Sequence, residues 1–190
     1  MYPALILAGG ASSRMGQDKA SMIVGGLPMI VRVAHSLRGA GCSPIIVAVR
    51  NGYQRQEIWG LLSHLTEIEF VLDRGAERGV VSALQSALRV CLERGIDEIQ
   101  LAPCDIPWVD SNIIKRLKRE KDCPIVIPRS TRLEPLLALT DVQRLLQAIE
   151  SRPPNSSLQN IMCSVPHRVI MMGDLEALSF KNINRPSDLA

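Results

Sequence analysis

The sequence predicts an α/β fold, a doubly wound and mostly parallel sheet with helices on both faces. Short apolar runs alternate along the chain with stretches of helical periodicity, which is the pattern of strands joined by helices. Each apolar run is followed by polar or glycine-containing sequence, as is typical of the carboxyl ends of strands in such sheets. Right-handed crossovers between parallel strands would place the helices on both faces.

Four apolar runs are predicted to be the buried strands of this sheet. They lie at residues 4–7, 44–49, 68–72 and 98–102. Each run is short and largely apolar, a composition typical of strands that are buried on both faces. Their carboxyl ends would meet at one edge of the sheet, where ligands bind in folds of this class.

Helical segments separate these strands. Residues 28–37 and 57–62 are predicted to be helical, and residues 80–92 show the clearest pattern. A further helix is predicted to begin after Asp110 and Ser111, whose side chains can cap its first turn. The apolar side chains that fall on one face of the third segment at helical spacing are Val80, Ala83, Leu84, Ala87, Leu88 and Cys91.

The last third of the chain differs in pattern from the rest. Residues 123–128 and 134–140 are predicted to be strands, and residues 141–150 are predicted to be helical. Residues 151–157 contain two prolines together with Ser and Asn, which is typical of a loop. This part is expected to continue the same sheet and to shape a second pocket.

The composition excludes several classes of function. A formal net charge of +3 is too small to indicate a nucleic-acid-binding surface, and two residues each of Phe, Tyr and Trp are too few for a base-stacking platform. The five cysteines are odd in number and form no C-x-x-C pair, which argues against a disulfide framework or a zinc site. No apolar stretch approaches the length of a membrane span. We therefore expect a cytoplasmic protein with no nucleic-acid or membrane partner.

A glycine-rich polar stretch, LAGGASSRMGQDKA at residues 7–20, begins at the end of the first strand. Gly9 and Gly10 have no side chains, so main-chain N–H groups there can approach an anion closely. Arg14 and Lys19 add positive charge that suits phosphate. The stretch lacks the G-K-[ST] of a Walker A loop and the spacing of G-x-G-x-x-G. It is predicted to be an anion-binding loop of another kind, and a glycine-rich turn with surface charges is the alternative.

This stretch resembles the signature of the molybdenum cofactor guanylyltransferases, whose pattern is close to L-A-G-G-x-S-x-R-M-G-x-D-K. Two later segments resemble that family in the same order, PCDIP at residues 103–107 and NINRPSDL at residues 182–189. The resemblance implies a Rossmann-like nucleotidyltransferase fold and a single domain over residues 1–190. Its nucleotide-binding part is expected at about 1–110 and its acceptor-binding part at about 111–190.

Two aspartates follow later strands of the predicted sheet. Asp105 comes after the strand at 98–102, where a carboxylate is well placed to hold Mg²⁺ beside a triphosphate. The C-D-x-P resemblance favours this role over that of a simple cap. Asp73 is the analogous residue one strand earlier. The resemblance implies a nucleotide-binding role for Asp73, and a solvated turn residue is the alternative.

Two asparagines near the end of the chain belong to the third resembling segment. Asn182 and Asn184 alternate, so both would point to the same side of an extended segment. The resemblance implies that they line the active site. A polar turn before Pro186 is the alternative reading of the same residues.

The resemblance implies transfer of GMP from GTP to the phosphate of molybdopterin carrying molybdenum, with release of pyrophosphate. Lys19, Asp105 and Arg14 would be the catalytic residues, and Mg²⁺ held by Asp105 would be the cofactor. Transient contact with proteins that deliver or insert the molybdenum cofactor is also expected. The residues expected to contact the nucleotide are Leu7, Ala8, Gly9, Gly10, Lys19, Asp73 and Asp105.

Several alternatives stay open at this point. The enzyme could use CTP with the same pterin, or GTP with another phosphorylated acceptor such as cobinamide phosphate. Val80 and Ala83 stand where the family usually has Pro and Gly, which leaves the base and the acceptor open. A non-catalytic nucleotide-binding relative is a further alternative, although retention of Lys19 and Asp105 argues against it. A sugar-phosphate nucleotidyltransferase is disfavoured by the short chain.

Overall fold

The computed structural model describes residues 2–8, 18–73, 79–153, 155–183 and 188. Four of the predicted site residues lie outside these described residues. They are Gly9, Gly10, Arg14 and Asn184. Their predicted roles therefore stay predictions from the sequence.

The strands form one large sheet and one small hairpin. β2 pairs only with β3, and seven strands form the large sheet in the order β5-β4-β1-β6-β8-β7-β9. Within the large sheet, β8 is antiparallel to both of its neighbours, whereas the other neighbouring strands are parallel to each other. The prediction of a mostly parallel, doubly wound sheet is therefore confirmed. The bounds are β1 Tyr2–Leu7, β2 Ile23–Val24, β3 Leu27–Pro28, β4 Cys42–Val49, β5 Ile68–Leu72, β6 Glu98–Pro103, β7 Ile125–Arg129, β8 Leu139–Asp141 and β9 His167–Met171.

The helices begin at side-chain caps in several places. Asn51, Asp110 and Asp141 each accept a hydrogen bond from a main-chain N–H in the first turn of the helix that follows. Among the described residues, no helix is both long enough and apolar enough to cross a bilayer. The bounds are α1 Met29–Gly39, α2 Gly52–Leu62, α3 Val80–Glu93, α4 Ser111–Arg119, α5 Val142–Glu150, α6 Leu158–Met162 and α7 Asp174–Ala177, with 3₁₀ turns at Lys19–Ser21, Pro135–Leu137 and Leu178–Phe180.

Two apolar layers cover the two faces of the large sheet. Consecutive residues of a strand point to opposite faces, and in β1 Leu5 and Ile6 are both fully buried but belong to different layers. The layer that contains Ile6 is completed by α1, α2 and α4. The layer that contains Leu5 is completed by α3, α5 and α6. The predicted helices on both faces are thus confirmed.

The predicted strand at 134–140 is wrong in its first half, because Pro135–Leu137 forms a 3₁₀ turn before β8. Proline has no N–H to give to a strand ladder, and its fixed φ suits the start of a helical turn. The carbonyl oxygen of Leu137 instead accepts a hydrogen bond of 2.8 Å from the buried side-chain nitrogen Nε2 of Gln100. β8 nevertheless joins β6 to β7, so one continuous sheet spans both predicted parts of the domain.

Candidate active site

The carboxyl ends of β1 and β6 mark the point at which the strand order of the sheet reverses. The chain passes from β1 to β4 and β5 on one side, and then returns to place β6 on the other side of β1. Leu7 of β1 is in register with Pro103 of β6, so the two strands end at the same level. Because ligands bind in the crevice at this point in α/β sheets, the described residues near the carboxyl ends of β1 and β6 define the candidate site.

Lys19 and Asp105 meet at this edge. Nζ of Lys19 lies 2.9 Å from Oδ2 of Asp105, although the two residues are 86 positions apart in the sequence. Their side chains are 19% and 27% exposed, so the pair is accessible from solvent. The structure therefore brings the predicted phosphate-binding lysine and the predicted metal-binding carboxylate to one place.

Asp18 fixes the main chain that carries Lys19. Its Oδ1 atom accepts a hydrogen bond of 3.0 Å from the N–H of Ala20, and its carbonyl oxygen accepts one of 3.1 Å from the N–H of Ser21. Asp18 thus caps the 3₁₀ turn Lys19–Ser21. Ala20 is fully buried in the layer below, which holds the turn against the sheet.

Gln54 and Arg50 hold the Asp18 carboxylate, and the sequence analysis missed both residues. Oδ2 of Asp18 accepts hydrogen bonds from Nε2 of Gln54 at 2.6 Å and from a guanidinium nitrogen of Arg50 at 2.8 Å. The Asp18 side chain is only 6% exposed, so these donors stabilise a nearly buried charge. The position of Asp18 beside Lys19 in the signature was the available signal, but nothing in the spacing pointed to Arg50 after β4 and Gln54 in α2 as its partners.

Leu7 and Ala8 lie at the carboxyl end of β1 and are nearly buried, with exposed fractions of 5% and 3%. The N–H of Ala8 donates a hydrogen bond of 3.1 Å to the carbonyl oxygen of Ala48, and its own carbonyl accepts one of 3.0 Å from Nε2 of Gln54. Both main-chain groups of Ala8 are therefore already hydrogen-bonded within the fold. Contact of Leu7 and Ala8 with a nucleotide stays a prediction.

Asp73 follows β5, two strands away from β1 at the same edge. Its N–H donates a hydrogen bond of 2.8 Å to the carbonyl oxygen of Val49, and its Oδ1 accepts one of 3.3 Å from the hydroxyl of Ser86. Since neighbouring strands are about 4.8 Å apart, β5 lies about 10 Å from β1. Asp73 is thus placed on the opposite side of β1 from Asp105, and its nucleotide-binding role stays a prediction.

The segment near the end of the chain lies against Asp105. The N–H of Ile183 donates a hydrogen bond of 2.9 Å to the carbonyl oxygen of Asp105. The Ile183 side chain is fully buried in a small cluster with Val24 and Met29. Asn182 is therefore brought to the same edge as Asp105, and its contact with a ligand stays a prediction.

Cys104, which precedes Asp105, is not a suitable nucleophile. It is 7% exposed, and burial, followed by the neighbouring charge of Asp105, raises the pKa of its thiol to about 12. The thiolate is the nucleophilic form of cysteine, and this thiol stays protonated at neutral pH. Covalent catalysis by Cys104 is therefore not expected.

A groove of about 1020 Å³ lies beside α3 and β5, and neither Lys19 nor Asp105 lines it. Two arginines in its wall are already paired with acids, Arg89 with Glu150 at 2.7 Å and Arg94 with Glu69. Gly79 and Val80 lie at its margin. The groove is therefore separate from the Lys19–Asp105 pair.

A magnesium ion suits the donor set at Asp105 better than a metal that needs a cage of protein ligands. Across the described part of the chain, no cluster of three or more His, Cys, Asp or Glu residues could hold a metal ion. Mg²⁺ is commonly bound by one or two carboxylates together with substrate phosphates and water. The accessible carboxylate of Asp105 fits this requirement.

Comparison with known proteins gives a consistent set of similarities. The chain matches the model of the MobA-like NTP transferase domain over residues 4–168. It is 29% identical to the molybdenum cofactor guanylyltransferase of Cereibacter sphaeroides over 194 aligned positions, which cover 98% of this chain and 92% of that protein.

Two solved structures share the fold. Molybdopterin-guanine dinucleotide biosynthesis protein A from Archaeoglobus fulgidus superposes with a TM-score of 0.74 at 23% identity, over 98% of this chain and 94% of that one. The 4-diphosphocytidyl-2C-methyl-D-erythritol synthase from Anaerococcus prevotii superposes with a TM-score of 0.79 at 12% identity, over 100% of this chain and 92% of that one. At these identities the two likenesses show the fold alone.

Proposed function

Since the chain belongs to the MobA-like NTP transferase family, we propose that it transfers GMP from GTP to the phosphate of molybdopterin carrying molybdenum. The observation that carries this proposal is the Lys19–Asp105 pair. Nζ of Lys19 lies 2.9 Å from Oδ2 of Asp105, at the point where the strand order of the sheet reverses. The pair combines a cation for phosphate with a carboxylate for a metal ion. The name of the Cereibacter sphaeroides relative supports guanine as the base and molybdopterin as the acceptor.

The proposed reaction needs no nucleophile from the protein. A phosphate oxygen of the acceptor attacks the α-phosphorus of GTP and forms a new P–O bond. The bond between the α-phosphorus and its bridging oxygen breaks, and that oxygen leaves with pyrophosphate. The protein lowers the barrier by holding the two reactants in line and by stabilising negative charge on the phosphates. Lys19 would supply the positive charge that stabilises the phosphates, and Arg14 is proposed from the sequence to add to it.

We propose Asp105 as the residue that would hold Mg²⁺. When bound, Mg²⁺ would neutralise phosphate charge and orient the triphosphate. Lys19 holds the Asp105 carboxylate beside the crevice. Both groups of opposite charge are thereby kept where a triphosphate and its counter-ion would enter.

The direct test measures pyrophosphate release with molybdopterin and each of the four nucleoside triphosphates. We expect turnover with GTP, loss of turnover on chelation with EDTA, and recovery when Mg²⁺ is restored. Turnover with CTP and not GTP would contradict the choice of base. Turnover with cobinamide phosphate or a sugar phosphate, and not with molybdopterin, would contradict the acceptor. Binding of a triphosphate without turnover of any of the four would contradict catalysis and indicate a non-catalytic nucleotide-binding relative.

We also propose a cytoplasmic setting and transient contact with proteins that deliver or insert the molybdenum cofactor. All five cysteines are free thiols, as is typical of proteins in reducing compartments. Cell fractionation tests the location, and cross-linking in cell extracts followed by identification of the captured proteins tests the contact. Recovery of the protein in an oxidising compartment, or capture of no cofactor-handling protein, would contradict the respective proposals.

A further inference from the structure

Gln54 is a buried polar side chain whose position is fixed by the start of α2. It is 3% exposed and lies on the inner face of the helix with Ile58 and Leu62. Its N–H donates a hydrogen bond of 2.9 Å to Oδ1 of Asn51, the residue that caps α2. A buried glutamine amide needs hydrogen-bond partners, and those of Gln54 all lie at or beside the candidate active site.

The Gln54 amide makes three hydrogen bonds, which define its orientation. Nε2 donates to the carbonyl oxygen of Ala8 at 3.0 Å and to Oδ2 of Asp18 at 2.6 Å, and Oε1 accepts from the N–H of Arg50 at 2.7 Å. Both N–H groups and the oxygen are thus used. The reversed amide would place its oxygen against a carbonyl and a carboxylate, so only one orientation is favourable.

The two residues that accept hydrogen bonds from Nε2 of Gln54 flank one segment of the chain. Ala8 immediately precedes residues 9–17, and Asp18 immediately follows them. Nε2 of Gln54 therefore hydrogen-bonds the residues that flank residues 9–17. Gln54 is 46 positions from Ala8 and 36 positions from Asp18 along the chain. Asp18 in turn caps the turn that carries Lys19.

We propose that Gln54 is a positioning residue for the triphosphate site, and this rests on the proposed function. By joining the end of β1 to the start of the Lys19 turn, Gln54 sets the place from which Lys19 reaches Asp105. Holding a binding group in place in advance removes an entropic cost that binding would otherwise bear. A displaced phosphate-binding group would weaken engagement of the triphosphate in the ground state and the transition state alike.

Arg50 cannot replace Gln54 in this role. Its guanidinium also binds Oδ2 of Asp18, at 2.8 Å, but its side chain is 38% exposed. The contact to the Ala8 carbonyl comes from Gln54. Arg50 therefore helps to neutralise Asp18, while Gln54 joins the two ends.

The test replaces Gln54 by glutamate, which keeps the shape but exchanges both amide donors for acceptors. Gln54→Glu would set a carboxylate against the Ala8 carbonyl and the Asp18 carboxylate. We expect KM for GTP to rise by about tenfold or more with a smaller change in kcat, because the loss falls on triphosphate engagement. Gln56→Glu is the matched control, because Gln56 is exposed on the same helix and undergoes the same charge change. It should behave like the wild type.

The pH dependence separates positioning from general destabilisation. A protonated glutamic acid regains one O–H donor, so the ratio of KM between Gln54→Glu and the wild type should fall as the pH is lowered. A ratio independent of pH, with a uniformly lowered unfolding midpoint, would overturn the proposal. If Gln54→Glu does not fold, Gln54→Met removes the donors without adding charge and should raise KM in the same direction, whereas an unchanged KM would overturn the proposal.

A second measurement does not need turnover. The N–H groups of Ala20, Ser21 and Met22 are hydrogen-bonded in the Lys19 turn. Hydrogen–deuterium exchange of peptides that cover residues 18–24 should be about tenfold faster in ligand-free Gln54→Glu than in the wild type or in Gln56→Glu. Peptides from β7 and β9 should be unchanged. If the wild type neither binds nor turns over GTP, the proposed function fails, and this exchange still decides whether Gln54 holds the two ends. Equal exchange in all three proteins would show that it does not.

Discussion

The main-chain N–H of Ile183 donates a 2.9 Å hydrogen bond to the carbonyl oxygen of Asp105. A residue near the end of the chain is thereby fastened to the loop that follows β6. The apolar side chain of Ile183 anchors the same segment among Val24 and Met29. The two contacts together fix the approach of Asn182 to the site.

Replacing Asn182 by alanine should lower kcat/KM by about tenfold, which corresponds to the loss of one polar contact to a charged substrate. The side chain is partly exposed, so the midpoint of thermal unfolding should not change measurably. Steady-state kinetics measure kcat/KM, and a thermal scan measures the unfolding midpoint. Lys181→Ala is the control, since Lys181 is the exposed neighbour. Equal kinetics in both variants would remove Asn182 from the site.

Replacing Ile183 by alanine should destabilise the protein by about 2 to 5 kcal/mol, the usual cost when a buried Ile is truncated. Urea denaturation measures this free energy of unfolding. Ile23→Ala is the matched control, because Ile23 is 56% exposed and its truncation should cost less than about 1 kcal/mol. Similar losses in the two variants would show that the anchor contributes little.

Replacing Asp105 by asparagine should reduce turnover by a factor on the order of a thousand. A neutral amide is a poor ligand for Mg²⁺, and without the metal ion the negative charge of the phosphates would be less well neutralised. The unfolding midpoint should stay close to that of the wild type, since a partly exposed ion pair such as Lys19–Asp105 adds little stability. Asp110→Asn provides the control. Asp110 caps α4 at the protein surface, and asparagine is an equally good cap. Comparable activity of Asp105→Asn and the wild type would contradict the metal-binding role.

The Cys104 thiol should resist alkylation in the folded protein from neutral to mildly alkaline pH. Burial raises its pKa to about 12, so the reactive thiolate is scarce over this range. Iodoacetamide followed by mass spectrometry should label the exposed Cys163 first. Cys104→Ser should retain turnover of the same order as the wild type. Rapid labelling of Cys104 with parallel loss of activity would contradict this assignment.

The strands of the large sheet could be predicted where burial on both faces makes them continuous apolar runs, as in β4, whose predicted range of 44–49 lies within the observed strand Cys42–Val49. β2 and β3 escaped prediction because two residues each are too few to show a period. β9 escaped because it lies at the edge of the sheet and is mostly exposed. Its sequence, HRVIM, therefore carries little apolar signal.

Part of the candidate site could also be predicted, from the places where the strands end. Lys19 and Asp105 each come after a predicted strand, and the carboxyl ends of parallel strands lie at one edge of a sheet, so both residues were expected at that edge. That β1 and β6 are neighbours, which lets the two side chains pair, was not predicted. The roles of Gln54 and Ile183 depend on hydrogen bonds to main-chain oxygens of distant segments. Every residue has such an oxygen, so neither the residue type nor the spacing indicates which one will be the partner.

The direction of β6 has a practical consequence for handling the protein. The exposed turn at Arg94 and Gly95 precedes this strand, and Asp105 follows it. The six residues of β6 span about 20 Å. A fluorophore or a surface-immobilisation linker attached at this turn would therefore lie at the amino end of β6, away from the Lys19–Asp105 pair.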